Sequence, residues 1–262
     1  SCFGASKGQA TATMTGGTTP FTYNWNNGET NATATGFFSG TASVTLTDGV
    51  GCYNITTTPV TQPPALNTSI VTFTNVLCTG YSTGTINLMV IGGTTSYSYL
   101  WDDVAASTTQ DLAALSGGTY TVTVTDGNNC TATDNVVITE PSAVTLTAVP
   151  TDALCNAGSD GAINLTVAGG TTNYSFNWSN NTSLEDLAGV GAGSYTVTVT
   201  DGNNCITTIT ETINQPTALT LTPTAVNANC GQADGSVDVA VTGGTTTYNY
   251  LWSDAANSTT SS

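Results

Sequence analysis

The sequence predicts an all-β chain of tandem immunoglobulin-like β-sandwich repeats forming an extended rod. Three observations carry this reading. A unit of about 75 residues recurs four times, apolar residues alternate with a period of two, and turn signals fall at intervals of roughly 8–12 residues. A period of two marks strands because successive side chains point to opposite faces of a sheet.

Each unit carries a cysteine followed by a glycine-containing turn, at Cys2, Cys78, Cys155 and Cys230, in steps of 76, 77 and 75 residues. A Gly-Gly-Thr-Thr turn follows, at Gly16-Gly17, Gly92-Gly93, Gly169-Gly170 and Gly243-Gly244. Next comes an alternating aromatic triplet: Phe21/Tyr23/Trp25, Tyr97/Tyr99/Trp101, Tyr174/Phe176/Trp178 and Tyr248/Tyr250/Trp252. Three units then show a Thr/Val alternation ending in Asp-Gly and a second cysteine, at Cys52, Cys130 and Cys205, and close near Pro63-Pro64, Pro141 and Pro216. The repeats are therefore expected at 1–63 (lacking its first strand), 64–140, 141–215 and 216–262 (truncated), as part of a longer array.

The third unit shows the strands in the immunoglobulin lettering. Val144–Val149 reads as strand A. Strand B turns Ile163, Leu165 and Val167 inward, strand C turns Tyr174, Phe176 and Trp178, and strand F turns Tyr195, Val197 and Val199. Ile206–Ile213 supplies strand G, and Leu184–Val190 is a short crossing, either a strand E or one helical turn. Asp201-Gly202 is a hairpin turn signal. Six or seven short strands in such a unit describe an immunoglobulin-like sandwich. Tyr120 and Tyr195 stand where a tyrosine corner belongs, and the first unit has Ala42 there. A small core leans on its largest side chains, so Trp25, Trp101, Trp178, Trp252, Tyr99, Phe176, Tyr120 and Tyr195 are the expected structural core.

Composition removes most chemistries. The 262 residues carry a net charge of −16, with Lys7 the only cationic side chain, no histidine and a mean hydropathy of +0.04. One lysine cannot neutralise a run of phosphates, which excludes nucleic acid, or anchor the chain on anionic lipid. Without histidine there is no imidazole base, metal ligand or nucleophile partner. No apolar run reaches the ~18–20 residues of a membrane helix, so direct membrane insertion is not expected. The adjacent carboxylates Asp102-Asp103 and Glu185-Asp186 would point to opposite faces of a strand, a poor acid/base pair. The chain is not expected to be an enzyme, and no cofactor is implied other than calcium. Asp126 and Asp201 are the calcium candidates, each alone well short of the six to eight oxygens that Ca²⁺ seeks; Asp160 or Asp234 would add a carboxylate from a neighbouring turn. The reading preferred over calcium for both is a hairpin turn whose aspartate caps its own backbone.

The order Cys-x-Gly, Gly-Gly-Thr-x-x-Tyr-x-Tyr-x-Trp, Gly-Thr-Tyr-Thr-Val-Thr-Val-Thr-Asp-Gly-x-x-Cys, Gln/Glu-Pro resembles the SprB repeat, and more loosely PKD-type modules. That repeat occurs in surface adhesins of gliding Bacteroidetes exported by type IX secretion. The resemblance implies an extracellular, cell-surface stalk or adhesin with a place in gliding motility. Its implied partners are neighbouring repeats of the same long chain, and surface glycans or proteins. The runner-up readings are a glycan- or protein-binding module acting through the stretches after strand C (Asn26–Thr35, Asp102–Gln110, Ser179–Glu185) and a self-assembling filament subunit.

Seven regularly spaced cysteines suit an oxidising compartment. Two connectivities stay open, with free thiols as the third reading. Pairing within copies gives Cys2–Cys52, Cys78–Cys130 and Cys155–Cys205. A sandwich, however, places its A–B loop and F–G turn at opposite ends, about 25 Å apart along an eight-residue strand, whereas a disulfide needs Cα atoms within ~7 Å. Staggered pairing, Cys2–Cys130 and Cys78–Cys205, would leave Cys52, Cys155 and Cys230 for partners elsewhere.

One consequence concerns proteolysis. Trypsin has a single site, after Lys7, so the reduced, denatured chain should yield one short peptide and one fragment of nearly full length by mass spectrometry. A ladder of tryptic peptides would contradict the sequence.

Overall fold

A computed structural model describes residues 1–253 and 258–259. All nineteen elements among them are strands, every pairing is antiparallel, and no helix is long and apolar enough to cross a membrane. The chain divides into two compact units, Ser1–Glu140 and Pro141–Ser262.

The first unit holds two sandwiches. In the first repeat, β1 (Gly8–Thr11) pairs with β3 (Thr33–Phe37), facing a sheet of β2 (Thr22–Trp25), β4 (Gly40–Thr47) and β5 (Tyr53–Val60) in the order β2-β4-β5. The second repeat adds the strand the first lacks. Its sheets are β6 (Asn67–Thr74), β7 (Gly84–Ile91) and β9 (Leu112–Leu115), against β11 (Thr131–Ile138), β10 (Gly118–Thr125) and β8 (Ser98–Trp101). These are the A-B-E and G-F-C sheets of an immunoglobulin-like sandwich.

The second unit repeats the plan. β12 (Thr145–Thr151), β13 (Gly161–Ala168) and β15 (Leu187–Val190) form one sheet, and β14 (Ser175–Trp178), β16 (Gly193–Thr200) and β17 (Ile206–Ile213) the other. The crossing at Leu184–Val190 resolves as the strand β15 rather than a helical turn. Strand A begins one residue later than expected and runs on through Pro150. Proline is tolerated there because β12 is an edge strand, where a missing N–H costs no ladder bond. The fourth repeat has two strands among the described residues, β18 (Thr220–Val226) and β19 (Ser236–Thr242).

The Thr/Val alternation produces the core directly. In β10, Val122 and Val124 are fully buried while Thr121, Thr123 and Thr125 face outward; Val197 and Val199 of β16 do the same. Three separate cores result. They centre on Trp25 with Val44 and Leu46, on Trp101 with Ile86 and Ile138, and on Trp178 with Ile163 and Ile213. A buried β-branched residue is stiff at χ1 and packs well on a pleated surface, whereas the outward threonines keep the same backbone preference and stay solvated. The chain also closes each complete sandwich along one side. After strand A it bonds the end of strand G, through Val76 N to Thr139 O and Ala153 N to Asn214 O, both 2.9 Å.

Trp101 is the test of this core. Trp101→Ala should cost about 3–5 kcal/mol in urea denaturation, as large aromatic truncations do. Trp252→Ala, on the half-exposed ring of the fourth repeat, should cost under about 1 kcal/mol. Equal costs would mean that strands E, F and G contribute nothing to holding the ring.

Candidate functional site at the repeat junction

The sequence features not consumed by the cores gather at the two ends of each sandwich. At one end the B–C turn meets the F–G turn. Gly92 and Gly93 both take left-handed φ, 74° and 63°, and a Cβ on Gly92 would collide with the Ala65 carbonyl, so neither position accepts a side chain cheaply. The first ring of the triplet secures the doublet. Tyr97 Oη donates to Gly92 O at 2.5 Å, Tyr174 Oη to Gly169 O at 2.5 Å and Tyr248 Oη to Gly243 O at 2.6 Å. Phe21 in the first repeat has no hydroxyl to do this.

The F–G turn is tied to that doublet by its aspartate. Asp126 accepts N–H bonds from Thr94 at 2.9 Å, Asn128 at 2.9 Å and Cys130 at 2.8 Å. Asp201 accepts the same three from Thr171, Asn203 and Cys205 at 2.8, 2.9 and 2.8 Å. Asp48 accepts from Thr18 at 3.2 Å, Val50 at 3.0 Å and Cys52 at 2.9 Å. Asp126 and Asp201 are only 3% and 4% exposed. Burial raises the pKa of such a carboxyl, but the N–H donors together outweigh it, and both groups titrate below the ordinary value. This is the hairpin reading of the two calcium candidates, extended to the neighbouring turn: their oxygens are committed to backbone donors. Asp160 accepts from Leu154 N and Asp234 from Asn229, each inside its own turn. Among the described residues, no three cysteine or carboxylate groups cluster as metal ligands do.

At the other end sits the first cysteine. Its loop is stapled to the exit of its own repeat by the residue before the closing proline. Gly4 N donates to Gln62 Oε1 at 2.8 Å, Gly80 N to Glu140 Oε2 at 3.2 Å and Ala157 N to Gln215 Oε1 at 2.8 Å. Sequence reasoning recorded the Gln/Glu-Pro motif without a role. Its recurrence at a fixed distance from each cysteine loop was the available signal.

The two ends meet between repeats. Cys2 of the first repeat is bonded to Cys130 in the F–G turn of the second, across 128 residues, with Cα atoms 5.5 Å apart. Asn128 Nδ2 reaches Ser1 O at 3.2 Å beside it. Pairing within copies is corrected by this bond. Cys78–Cys130 is not formed because Cys130 is taken, and Cys2–Cys52 and Cys155–Cys205 are not formed because Cys52 and Cys155 are free. The reason is the sandwich geometry, which sets the two cysteines of one repeat at opposite ends. Cys52, Cys155 and Cys230 are unbonded and exposed, and Cys78 and Cys205 are disulfide-bonded.

The aromatic residues divide by depth. Trp25, Trp101 and Trp178 are 4%, 1% and 2% exposed. Their indole N–H groups donate to Asn31, Thr109 and Leu184 carbonyls, at 2.8, 2.9 and 3.0 Å, in the stretches after strand C. Those rings are core. Tyr99 and Phe176 are half-buried at the margin of the same cores; Tyr99 Oη donates to Gln110 Oε1 at 3.1 Å, and burial raises its pKa. Tyr120 and Tyr195, also half-buried, make the corner: their hydroxyls donate to Ser116 O at 3.0 Å and Gly191 O at 2.9 Å. In the first repeat Ala42 fills that place with a buried methyl. Trp252 departs from the expectation. It is half-exposed, because the fourth repeat has only β18 and β19 among the described residues, without the E, F and G strands that enclose the ring in the second and third repeats. The paired carboxylates serve the backbone, Asp102 accepting from Thr121 N and Asp103 from Ser107 N and Oγ.

Against known proteins, the SprB repeat profile matches residues 1–30, 70–106, 147–183 and 222–257, together more than half of the chain. No curated protein matches the sequence. Among solved structures, the chain is similar to the N-terminal eight immunoglobulin domains of Down syndrome cell adhesion molecule, at 12% identity and a TM-score of 0.40, over 74% of this chain and 32% of that one. It is similar to protocadherin gamma B7 extracellular cadherin domains 1–4, at 11% identity and a TM-score of 0.33, over 75% of this chain and 66% of that one. The chain thus spans about a third of the first and two thirds of the second. The sandwich assignment rests on the strand pairing.

The turn aspartates give a pH signature. A folded-state pKa below the ordinary 3.8 means that their contribution is present above that value and lost as pH falls through the folded pKa. Asp126→Asn combined with Asp201→Asn should lower the urea midpoint at about pH 7, and the gap from the parent should shrink at about pH 2.5. A gap that does not depend on pH would mean that the carboxylate charge plays no part.

Proposed function

We propose that this chain, which belongs to the SprB repeat family, is a load-bearing spacer of a cell-surface adhesin and performs no catalysis. The observation that carries the proposal is the Cys2–Cys130 bond, which joins one repeat to the next instead of reinforcing a single core. Under tension applied to the chain ends, that bond transmits force past the 128 residues it encloses. In the chain-entropy picture, closing a loop of that length also disfavours the unfolded chain by about 5 kcal/mol. Hydroxyl-rich outer faces and the net negative charge keep repeated domains solvated and apart. An oxidising, extracellular location, export to the cell surface and a place in a gliding apparatus belong to the same proposal; they follow from the family resemblance and the cysteine usage.

Force spectroscopy tests it. Pulled from its ends, the oxidised chain should withhold the contour enclosed by the bond. Reduction should release roughly 420–460 Å more, at about 3.3–3.6 Å per residue. Identical extensions before and after reduction would refute a load-bearing bond. Isolated repeats on a glycan array give the complementary measurement: specific binding by one repeat, lost on substitution within Asp102–Gln110, would replace the spacer with a recognition module.

A further inference from the structure

The fourth repeat presents a sheet face that the second and third keep covered. In the third repeat Ile163 is 1% exposed, in one cluster with Val197 and Val199; its counterpart Val237 is 44% exposed. Leu221, Val239, Val241 and Trp252 line a cleft of about 930 Å³ on this face. Cys155, unbonded and exposed, lines the same cleft.

We propose that this cleft receives a Thr/Val β-hairpin closed by a cysteine-bearing Asp-Gly turn, of the kind the chain itself carries at Gly193–Ile213, and that the turn cysteine bonds Cys155. Three observations define the occupant. The apolar face is filled in the second and third repeats by two valines spaced i, i+2 and one isoleucine: Val122, Val124 and Ile138, then Val197, Val199 and Ile213. An apolar slot of that spacing selects a strand with the same alternation. The rim repeats the B–C turn: Gly243-Gly244-Thr245 stands where Gly92-Gly93-Thr94 and Gly169-Gly170-Thr171 hold the Asp-Gly turn through Thr94 N and Thr171 N. Finally, Cys155 is the third repeat's counterpart of Cys2, which bonds the hairpin-turn cysteine of the repeat that follows it. The sulfur chemistry is thiol–disulfide exchange. The Cys155 thiolate attacks the hairpin cysteine, presented as a mixed disulfide; the new S–S bond forms as the old one breaks, and the displaced thiolate carries away the electron pair.

The test uses the full chain and a synthetic peptide of residues 193–213, with its cysteine as the mixed disulfide with thionitrobenzoate. One equivalent of thionitrobenzoate should be released, and mass spectrometry should place the peptide on Cys155 at least tenfold faster than on Cys52 or Cys230, which are equally free. A peptide with Val197→Asp and Val199→Asp should lose that preference, as should the chain carrying Leu221→Asp. A Cys155→Ser chain should still bind the cysteine-free peptide (Cys205→Ser) in calorimetry, since the cleft is intact. Equal labelling of the three free cysteines, or a preference that survives the aspartate peptide, would overturn the proposal. So would a Cys155→Ser chain that fails to bind, or a stable dimer of the chain alone that occludes the cleft.

Discussion

A carboxylate buried at the tip of the F–G hairpin is the interaction on which the rest depends. Asp126 and Asp201 each hold two N–H groups of their own turn and one from the Gly-Gly-Thr turn across from it. Strands B and C belong to one sheet each, so that third bond ties the turn joining the two sheets to the end of the F–G hairpin. It also fixes the cysteine, because Cys130 N and Cys205 N are among the donors. A short polar side chain that bonds its own turn is ordinary chemistry for aspartate. Burying the charge adds consequence, since a buried acceptor left without donors is costly. The Gly-Gly doublet is needed for the same reason: a Cβ on Gly93 or Gly170 would stand 2.8 Å from an aspartate oxygen.

Small size explains the remaining devices. A repeat of this length has little interior, and its stability leans on a few large side chains. One tryptophan per core fills that interior, and its N–H must be satisfied once buried. The three acceptors are carbonyls of Asn31, Thr109 and Leu184, in stretches whose sequences have little in common. A backbone carbonyl can be offered by any residue, which leaves these stretches free to vary while the ring stays fixed.

Much of this was legible in the sequence for a physical reason. Period-two alternation, glycine doublets and the cysteine step reflect local rules, so the B, C, F and G strands were placed closely, and β17 to the residue. The inward residues of β10 and β16 followed from alternation alone. Long-range partners were less legible. Nothing local tells that Asp126 reaches Thr94, or that Gln62, Glu140 and Gln215 staple the cysteine loops, because those bonds span 32 and about 60 residues. The depth of Tyr99 and Phe176 was overstated, since a position facing inward at a sandwich margin is not sealed on all sides. Trp252 was assigned to a core on its place in the triplet, although burial depends on neighbouring strands, E, F and G, that the triplet does not contain.

The connectivity of the cysteines decides what the bonds can do. A bond within one repeat, such as Cys78 to Cys130, would enclose 52 residues by chain position, while the repeat step is 75 to 77. About a third of every repeat would then lie outside any cross-link and could be drawn out under load. The bond from Cys2 to Cys130 encloses 128, well over one step, so the whole first sandwich and nearly all of the second up to the F–G turn lie inside one cross-link. The residues inside that loop add no length between its ends until sulfur chemistry intervenes. The same cysteines in the same number thus give a tether or an extensible chain according to which end of the sandwich each occupies, and the Gln/Glu staple and the aspartate clip set those ends.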